Sequence, residues 1–155
     1  TINEAFADLF GYVPLNEEQK KFYISQYFPF LDKRLICLVV DNNDEVVAFG
    51  VSMPSLSNAL RKCKGRLFPF GWVHLLKALK NFENIDLYLN GVKPQWQNKG
   101  IHSIYYAEMN KQYIKLGSKM AIANPQLETN QAVNIWEKYD SRIAIRRRAY
   151  IKTIE

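Results

Sequence analysis

Between Asn84 and Ala123 the chain passes through a strand-like run, a turn marked by glycine, a long helical stretch and a second strand-like run. This order constrains the fold more than any other feature. Two strands joined through a long helix lie parallel, because a crossover of that length cannot make a hairpin. In the first run Ile85, Leu87 and Leu89 alternate with Asp86, Tyr88 and Asn90, which predicts a strand over 84–92. Residues 99–116 predict a helix with Ile101, Ile104, Tyr105, Met109, Tyr113 and Ile114 on one side. Of its two adjacent tyrosines, Tyr105 and Tyr106, one is expected buried and the other exposed. Gly117 ends the helix in the C-cap manner. A strand follows over 118–123, and Pro125 marks where the chain leaves regular pairing.

Upstream, residues 3–10 predict a short helix ended by Gly11 and Pro14. Asn16 suits the N-cap of a second helix, with Glu17 and Glu18 in its first turn and Pro29 as its stop. The apolar runs 34–41 and 45–53 flank Asp41-Asn42-Asn43-Asp44 and predict an antiparallel hairpin. Helical stretches are expected over 58–64 and 72–81. A further helix is expected from Glu128 or Thr129 to Lys138, and a last strand over 143–154. The sum is a mixed α/β (α+β) domain. Its sheet is mostly antiparallel, with a central strand–helix–strand crossover and helices on both faces. The whole of 1–155 reads as one domain with a helical insertion at 54–82. The start at Thr1 leaves open a longer parent protein.

Composition limits what such a domain can do. At 48% apolar and 23% charged residues the chain can bury a core. Its longest uncharged stretch, 46–60, is too short and too interrupted by polar residues to span a bilayer. No signal peptide is visible. Cys37 and Cys63 lie in unrelated segments and suggest neither a disulfide nor a metal site, so a reducing, cytoplasmic setting is expected. The net charge of +6 is uneven. No acid occurs in 46–82, where Arg61, Lys62, Lys64, Arg66, Lys77 and Lys80 all fall. A second basic run holds Arg142, Arg146, Arg147, Arg148 and Lys152. Such patches suit phosphates, nucleic acid or an anionic membrane face, or are simply solvated surface. No nucleic-acid motif is present and the two patches are separate, so nucleic acid is not expected as a partner. The insertion adds Phe68, Phe70, Trp72, Leu75, Leu76 and Leu79 to its cations. It reads as a cover on the acceptor side, as a membrane or partner contact, or as a helical pair packed on the sheet.

Chemistry is expected first at the joint between the strand ending at Val92 and the following helix. Gln97, Asn98, Lys99 and Gly100 sit at that helix N-terminus, where free N–H groups and the helix dipole favour an anion. Gly100 brings no side chain to obstruct a phosphate, and Lys99 adds charge. The Gly-Lys-Ser/Thr ending of a P-loop is missing, as is the three-glycine dinucleotide fingerprint. The spacing Val92-x-Pro94-x-x-Gln97-x-x-Gly100 resembles the pyrophosphate loop of the GNAT (Gcn5-related) N-acetyltransferases, V-x-P-x-x-(Q/R)-x-x-G-x-(G/A). Asn130-x-Ala132-x-x-x-Trp136-Glu137-Lys138 resembles the N-x-A-x-x-x-Y-E-K helix that follows in that family. The likeness covers roughly 85–150.

The resemblance implies an acyl-CoA-dependent N-acyltransferase, most simply of acetyl from acetyl-CoA, acting on a small-molecule or peptide amine without a metal. It implies a cofactor gap between the strands ending near Val92 and Ala123. Val92, Gln97, Asn98, Lys99, Gly100, Ile101, His102 and Asn130 would hold the cofactor. A backbone N–H near Val92 would polarise the thioester carbonyl. Three positions depart from the pattern. His102 stands where a small residue is usual, and is open to roles as base, phosphate ligand or surface histidine. Trp136 replaces the tyrosine that often protonates the leaving thiolate, and its indole N–H is a very weak acid. Tyr139-Asp140-Ser141 replaces the usual Gly-Phe. Tyr139 is therefore the substitute acid, lying about 60° round an α-helix from position 136. Glu128, at the strand exit, is the candidate base, or an ordinary first-turn helix acid. His74 is expected to be a packed or interfacial residue, and Tyr150 a packing residue. The alternative function is a CoA- or partner-binding module of the same fold with reduced catalysis.

Overall fold

A computed structural model describes residues 1–9, 11–128 and 130–153, with Gln131 and Ala132 described by backbone alone. The chain divides into two units, Thr1–Asn124 and Pro125–Glu155.

The first unit is built on four strands in the order β1-β2-β3-β4. They are β1 (Ile36–Val40), β2 (Val46–Pro54), β3 (Asn84–Val92) and β4 (Met120–Ala123). β1 with β2 and β2 with β3 are antiparallel, and β3 with β4 is parallel. The helices are α1 (Ile2–Ala5), α2 (Glu17–Tyr27), α3 (Ser57–Lys62), α4 (Gly71–Ala78) and α5 (Ile101–Lys115). The mixed fold, the hairpin and the crossover through α5 are those expected. Local chemistry accounts for the boundaries. Asp41 Oδ1 accepts from the N–H of Asn43 (2.9 Å) and Glu45 (3.0 Å), closing the β1–β2 turn. Asn16 and Gln19 form a reciprocal capping box at the start of α2. Gly117, at φ +74°, turns the chain out of α5.

The core lies between α5 and the sheet. Tyr105, Tyr106, Met109 and Tyr113 of α5 are all buried, as are Ala48 of β2 and Ile85 and Leu87 of β3, while Val47 and Phe49 of β2 are buried on the sheet's opposite face. On the other face α1 and the turn after it cover β2 and β3. Phe6 meets Phe49 edge-on at 6.0 Å. Lys93 is 9% exposed, with its ammonium 3.6 Å from Glu4 and 3.5 Å from Glu45. Helices thus cover both faces.

Tyr113 ends in a buried hydroxyl pair, Oη to Ser52 Oγ at 2.7 Å, and burial pushes its phenol up to about 12. Tyr113→Phe should lower stability by about 1–2 kcal/mol, because Ser52 Oγ is left without its partner. Adding Ser52→Ala should recover most of that loss, as read from urea midpoints.

Several expectations are corrected. Tyr105 and Tyr106 are both buried, while Ile104 and Ile114 are 55% and 77% exposed. The buried face runs through 105, 109 and 113, and Tyr106 joins it by turning its hydroxyl to Asn90 Nδ2 of β3 (2.9 Å). The alternation in β3 breaks at Tyr88. Val51 pairs with Leu89 but Ser52 pairs with Leu87, so Tyr88 is an extra residue in the ladder. Past this bulge the faces exchange. Asn90 turns toward α5, Gly91 lies under Ala5 of α1, and Leu89 is 42% exposed.

In the second unit residues 131–138 form a 3-10 helix, not an α-helix. The expected strand over 143–154 does not form in its described part. Ile143, Ile145, Tyr150 and Ile151 are 70–98% exposed with no pairing strand, and strand propensity without a neighbour fixes nothing. Tyr150 is therefore not a packing residue. Phe10, Thr129 and Ile154, which fell in expected elements, lie outside the described residues.

Candidate functional site

β4 pairs with β3 from Asn84↔Met120 to Leu87↔Ala123, and pairing ends there. β3 continues to Val92 against β2 alone. The parting falls at the Tyr88 bulge, where a strand bends and its twist increases. Asn124 Nδ2, just past β4, donates to the Tyr88 carbonyl (3.1 Å) and clasps the fork. The edge of β3 from Leu89 to Val92 is therefore without a strand partner on that side among the described residues, at the C-terminal ends of two parallel strands, the usual ligand position in a sheet with crossovers.

The loop beyond Val92 is shaped by its own bonds. The Lys93 N–H donates to the Val47 carbonyl (2.9 Å) and holds the loop's root to β2. Pro94–Trp96 make one 3-10 turn, closed by the Gln97 N–H on the Pro94 carbonyl (3.2 Å). The Gln97 side chain reaches back, Nε2 donating to the Val92 carbonyl (3.1 Å). Asn98 and Gly100 then take left-handed backbone, φ +58° and +76°, and α5 begins. No side chain caps it. The Ser103 N–H donates to the Gly100 carbonyl (2.9 Å). Among the described residues, no carbonyl lies in close hydrogen-bond geometry with the N–H groups of Asn98, Lys99, Gly100, Ile101 or His102. A Cβ on Gly100 would meet nothing within 4 Å. Unpaired amides, open space and the positive end of a 15-residue helix together fit a diphosphate. Lys99 Nζ lies 5.2 Å from the Trp96 ring centre, which holds a cation beside the amides.

The expected loop residues Val92, Gln97, Asn98, Lys99, Gly100, Ile101 and His102 are thus brought together at one turn. His102 is half-buried in the first turn of α5. Asn130, Glu128, Trp136 and Tyr139 belong to the second unit. There Trp136 Nε1 donates to Gln126 Oε1 (2.7 Å), and Glu128 is exposed. Tyr139 is not turned away from Trp136. In a 3-10 helix residues three apart eclipse, and the two rings lie 6.3 Å apart. Sequence reasoning missed Asn124, Asn90 and the buried Lys93. Only Lys93, inside the loop segment, carried any signal. His74 is exposed on α4, which leaves the interfacial reading of it and not the packed one. Among the described residues no three His, Cys, Asp or Glu side chains gather as a metal site would need.

The fold is that of the GNAT-type acetyltransferases. An aminoglycoside acetyltransferase from an uncultured soil metagenome superposes with a TM-score of 0.52 at 12% identity, over 99% of this chain and 84% of its own. Aminoglycoside 6'-N-acetyltransferase of Acinetobacter baumannii gives 0.55 at 12%, over 92% and 84%. Glucosamine-6-phosphate N-acetyltransferase of Arabidopsis thaliana gives 0.55 at 12%, over 96% and 88%. No family model matches the sequence. A curated relative, the bacterial ceramide synthase of Caulobacter vibrioides, is 30% identical over 98 residues, or 62% of this chain. The match spans a quarter (25%) of that relative's length.

Proposed function

We propose that residues 1–155 form one acyl-CoA-dependent N-acyltransferase domain, with 54–82 as a helical insertion, in a cytoplasmic setting. It passes an acyl group, most simply acetyl, to an amine by direct attack in a ternary complex. The observation that carries this reading is the row of unpaired N–H groups from Asn98 to His102 beside the opened edge of β3. Acyl-CoA supplies an activated thioester. The chain supplies its grip: the amides hold the pyrophosphate, with Lys99 adjacent. The edge of β3 near Val92 orients the acyl carbonyl through a backbone N–H. Glu128, or a water it holds, takes the proton of the amine. Tyr139 returns a proton to the departing thiolate. Ceramide is an N-acylated long-chain amino alcohol. The relative's name therefore favours an amine of that kind over an aminoglycoside as the acceptor.

Trp136 supports a second reading, a CoA- or partner-binding module with reduced turnover. Its indole N–H is committed to Gln126 and is no proton source for a thiolate. One experiment separates the two. Acetyl-CoA binding is measured by calorimetry, then thiol release with a panel of amines that includes long-chain amino alcohols. Binding with release supports the enzyme, and binding without release on any amine supports the module. Folded protein that binds no acyl-CoA refutes both.

A further inference from the structure

α3, α4 and the loop between them build a surface that the proposed transfer reaction does not use. The segment leaves the sheet after β2 and returns at Asn84, the first residue of β3. The loop beyond Val92 is at the other end of that strand, roughly 25 Å away at the usual rise per residue. The helical pair is therefore not a lid on the anion site.

Its charge is of one sign. Arg61, Lys62, Lys64, Arg66, Lys77 and Lys80 are all exposed, and among the described residues none of the six pairs with an acid. The acid next along the chain, Glu83, is engaged by Lys119 at 2.8 Å.

At the tip, between these cations, stand large apolar groups. Phe68 is 87% exposed, Phe70 73%, Leu67 52% and Trp72 51%. They are not a loose end. The Trp72 N–H donates to the Leu67 carbonyl (3.1 Å), and the Val73 N–H donates to that of Phe70 (3.1 Å). Gly71 is buried so tightly against the Arg66 carbonyl that no Cβ fits. Trp72 Nε1 donates to the Pro69 carbonyl (2.9 Å), so its ring can leave water without stranding a donor. Leu76, one turn on, extends the apolar side of α4.

We propose that this helical pair docks the domain on an anionic lipid bilayer, Phe68, Phe70 and Trp72 entering the interface while the flanking cations meet lipid phosphates. An apolar, hydrogen-bond-satisfied tip within a collar of unpaired cations has the two properties that interfacial binding needs. A polyanion such as RNA would account for the cations but not for a preformed, exposed apolar tip. The surface anchors the domain at the end of β3 away from the loop beyond Val92.

The test is co-sedimentation of the whole chain with phosphatidylcholine vesicles, with and without phosphatidylglycerol, at low and high salt. Binding should be at least about tenfold stronger to the anionic vesicles and should weaken with salt. F68S/F70S and, separately, K62E/K64E should each reduce it about tenfold or more, with unchanged thermal midpoints. Equal binding to both vesicle types, no binding, or undiminished binding by F68S/F70S would overturn the proposal. So would tighter binding to a mixed-sequence RNA oligonucleotide that the tip substitutions leave untouched. Acetyl-CoA affinity serves as the independent readout. It should be unchanged in both variants, so failure here and failure of the transferase reading are told apart.

Discussion

Gly100→Glu should reduce acetyl-CoA binding at least about a hundredfold in calorimetry, close to abolishing it. Two effects combine. The carboxylate would project from the turn that presents unpaired N–H groups, so it would occupy their field and repel a diphosphate. It would also occupy the space the phosphates need, since nothing in the protein lies within 4 Å of a Cβ there. Gly100→Ala separates these effects from backbone strain. At φ +76° any L side chain costs about 1–2 kcal/mol, which should appear as lost stability. The methyl adds no charge and meets no neighbour, so most of the affinity should remain. If alanine and glutamate weaken binding equally, the backbone turn alone matters and the phosphate placement is wrong. If glutamate changes nothing, the anion site lies elsewhere.

That loop was legible because every feature that defines it is local. Pro94 sets one turn, Gly100 permits one positive φ, and a helix must start with free amides. The limits of β3, the span of α5 and the exit at Gly117 were legible for the same reason. What escaped was what depends on partners. Nothing in Asn84–Val92 announces that Tyr88 is extra, because a bulge is a relation between β3 and β2. Yet that bulge turns Asn90 to Tyr106 and lies where β4 parts from β3. The misplacement of Ile104, Ile114 and Tyr106 on α5 has the same origin. Isoleucines are more apolar than tyrosines, but the sheet offers Ser52 and Asn90 as hydrogen-bond partners, and Tyr113 and Tyr106 take the buried places. Residues 143–153 failed in the opposite way. Alternating isoleucines satisfied a strand pattern, but among the described residues 143–153 pair with no strand. The turn type of 131–138 was hidden too, and it decides where Tyr139 stands relative to Trp136.

Gly50→Val should destabilise the protein by about 2 kcal/mol and weaken acyl-CoA binding with it, although Gly50 is remote from the loop in sequence. Gly50 lies in β2 opposite Asn90 of β3 and beneath α5. A Cβ there would come within 2.6 Å of Met109 Sδ and 3.1 Å of the Tyr105 ring. Valine suits a strand better than glycine by up to about 1 kcal/mol, which offsets part of the damage. Met109 is flexible and can yield to one methyl group, so Gly50→Ala should be mild. Two branched methyls also press on Tyr105, a buried ring packed at 4.6 Å from Tyr106, and a close-packed ring yields less readily than a flexible thioether. The remaining response is for α5 to lift from the sheet. Its first turn carries the N–H groups of Ile101 and His102, so the lift displaces the anion site relative to the edge of β3. Met109→Ala opens room beneath the new side chain. Urea midpoints should therefore show the double variant losing less than the sum of the two single losses, with affinity restored in step. Strict additivity would mean that α5 and β2 accommodate valine without movement, and the proposed coupling between core and cofactor loop would be withdrawn.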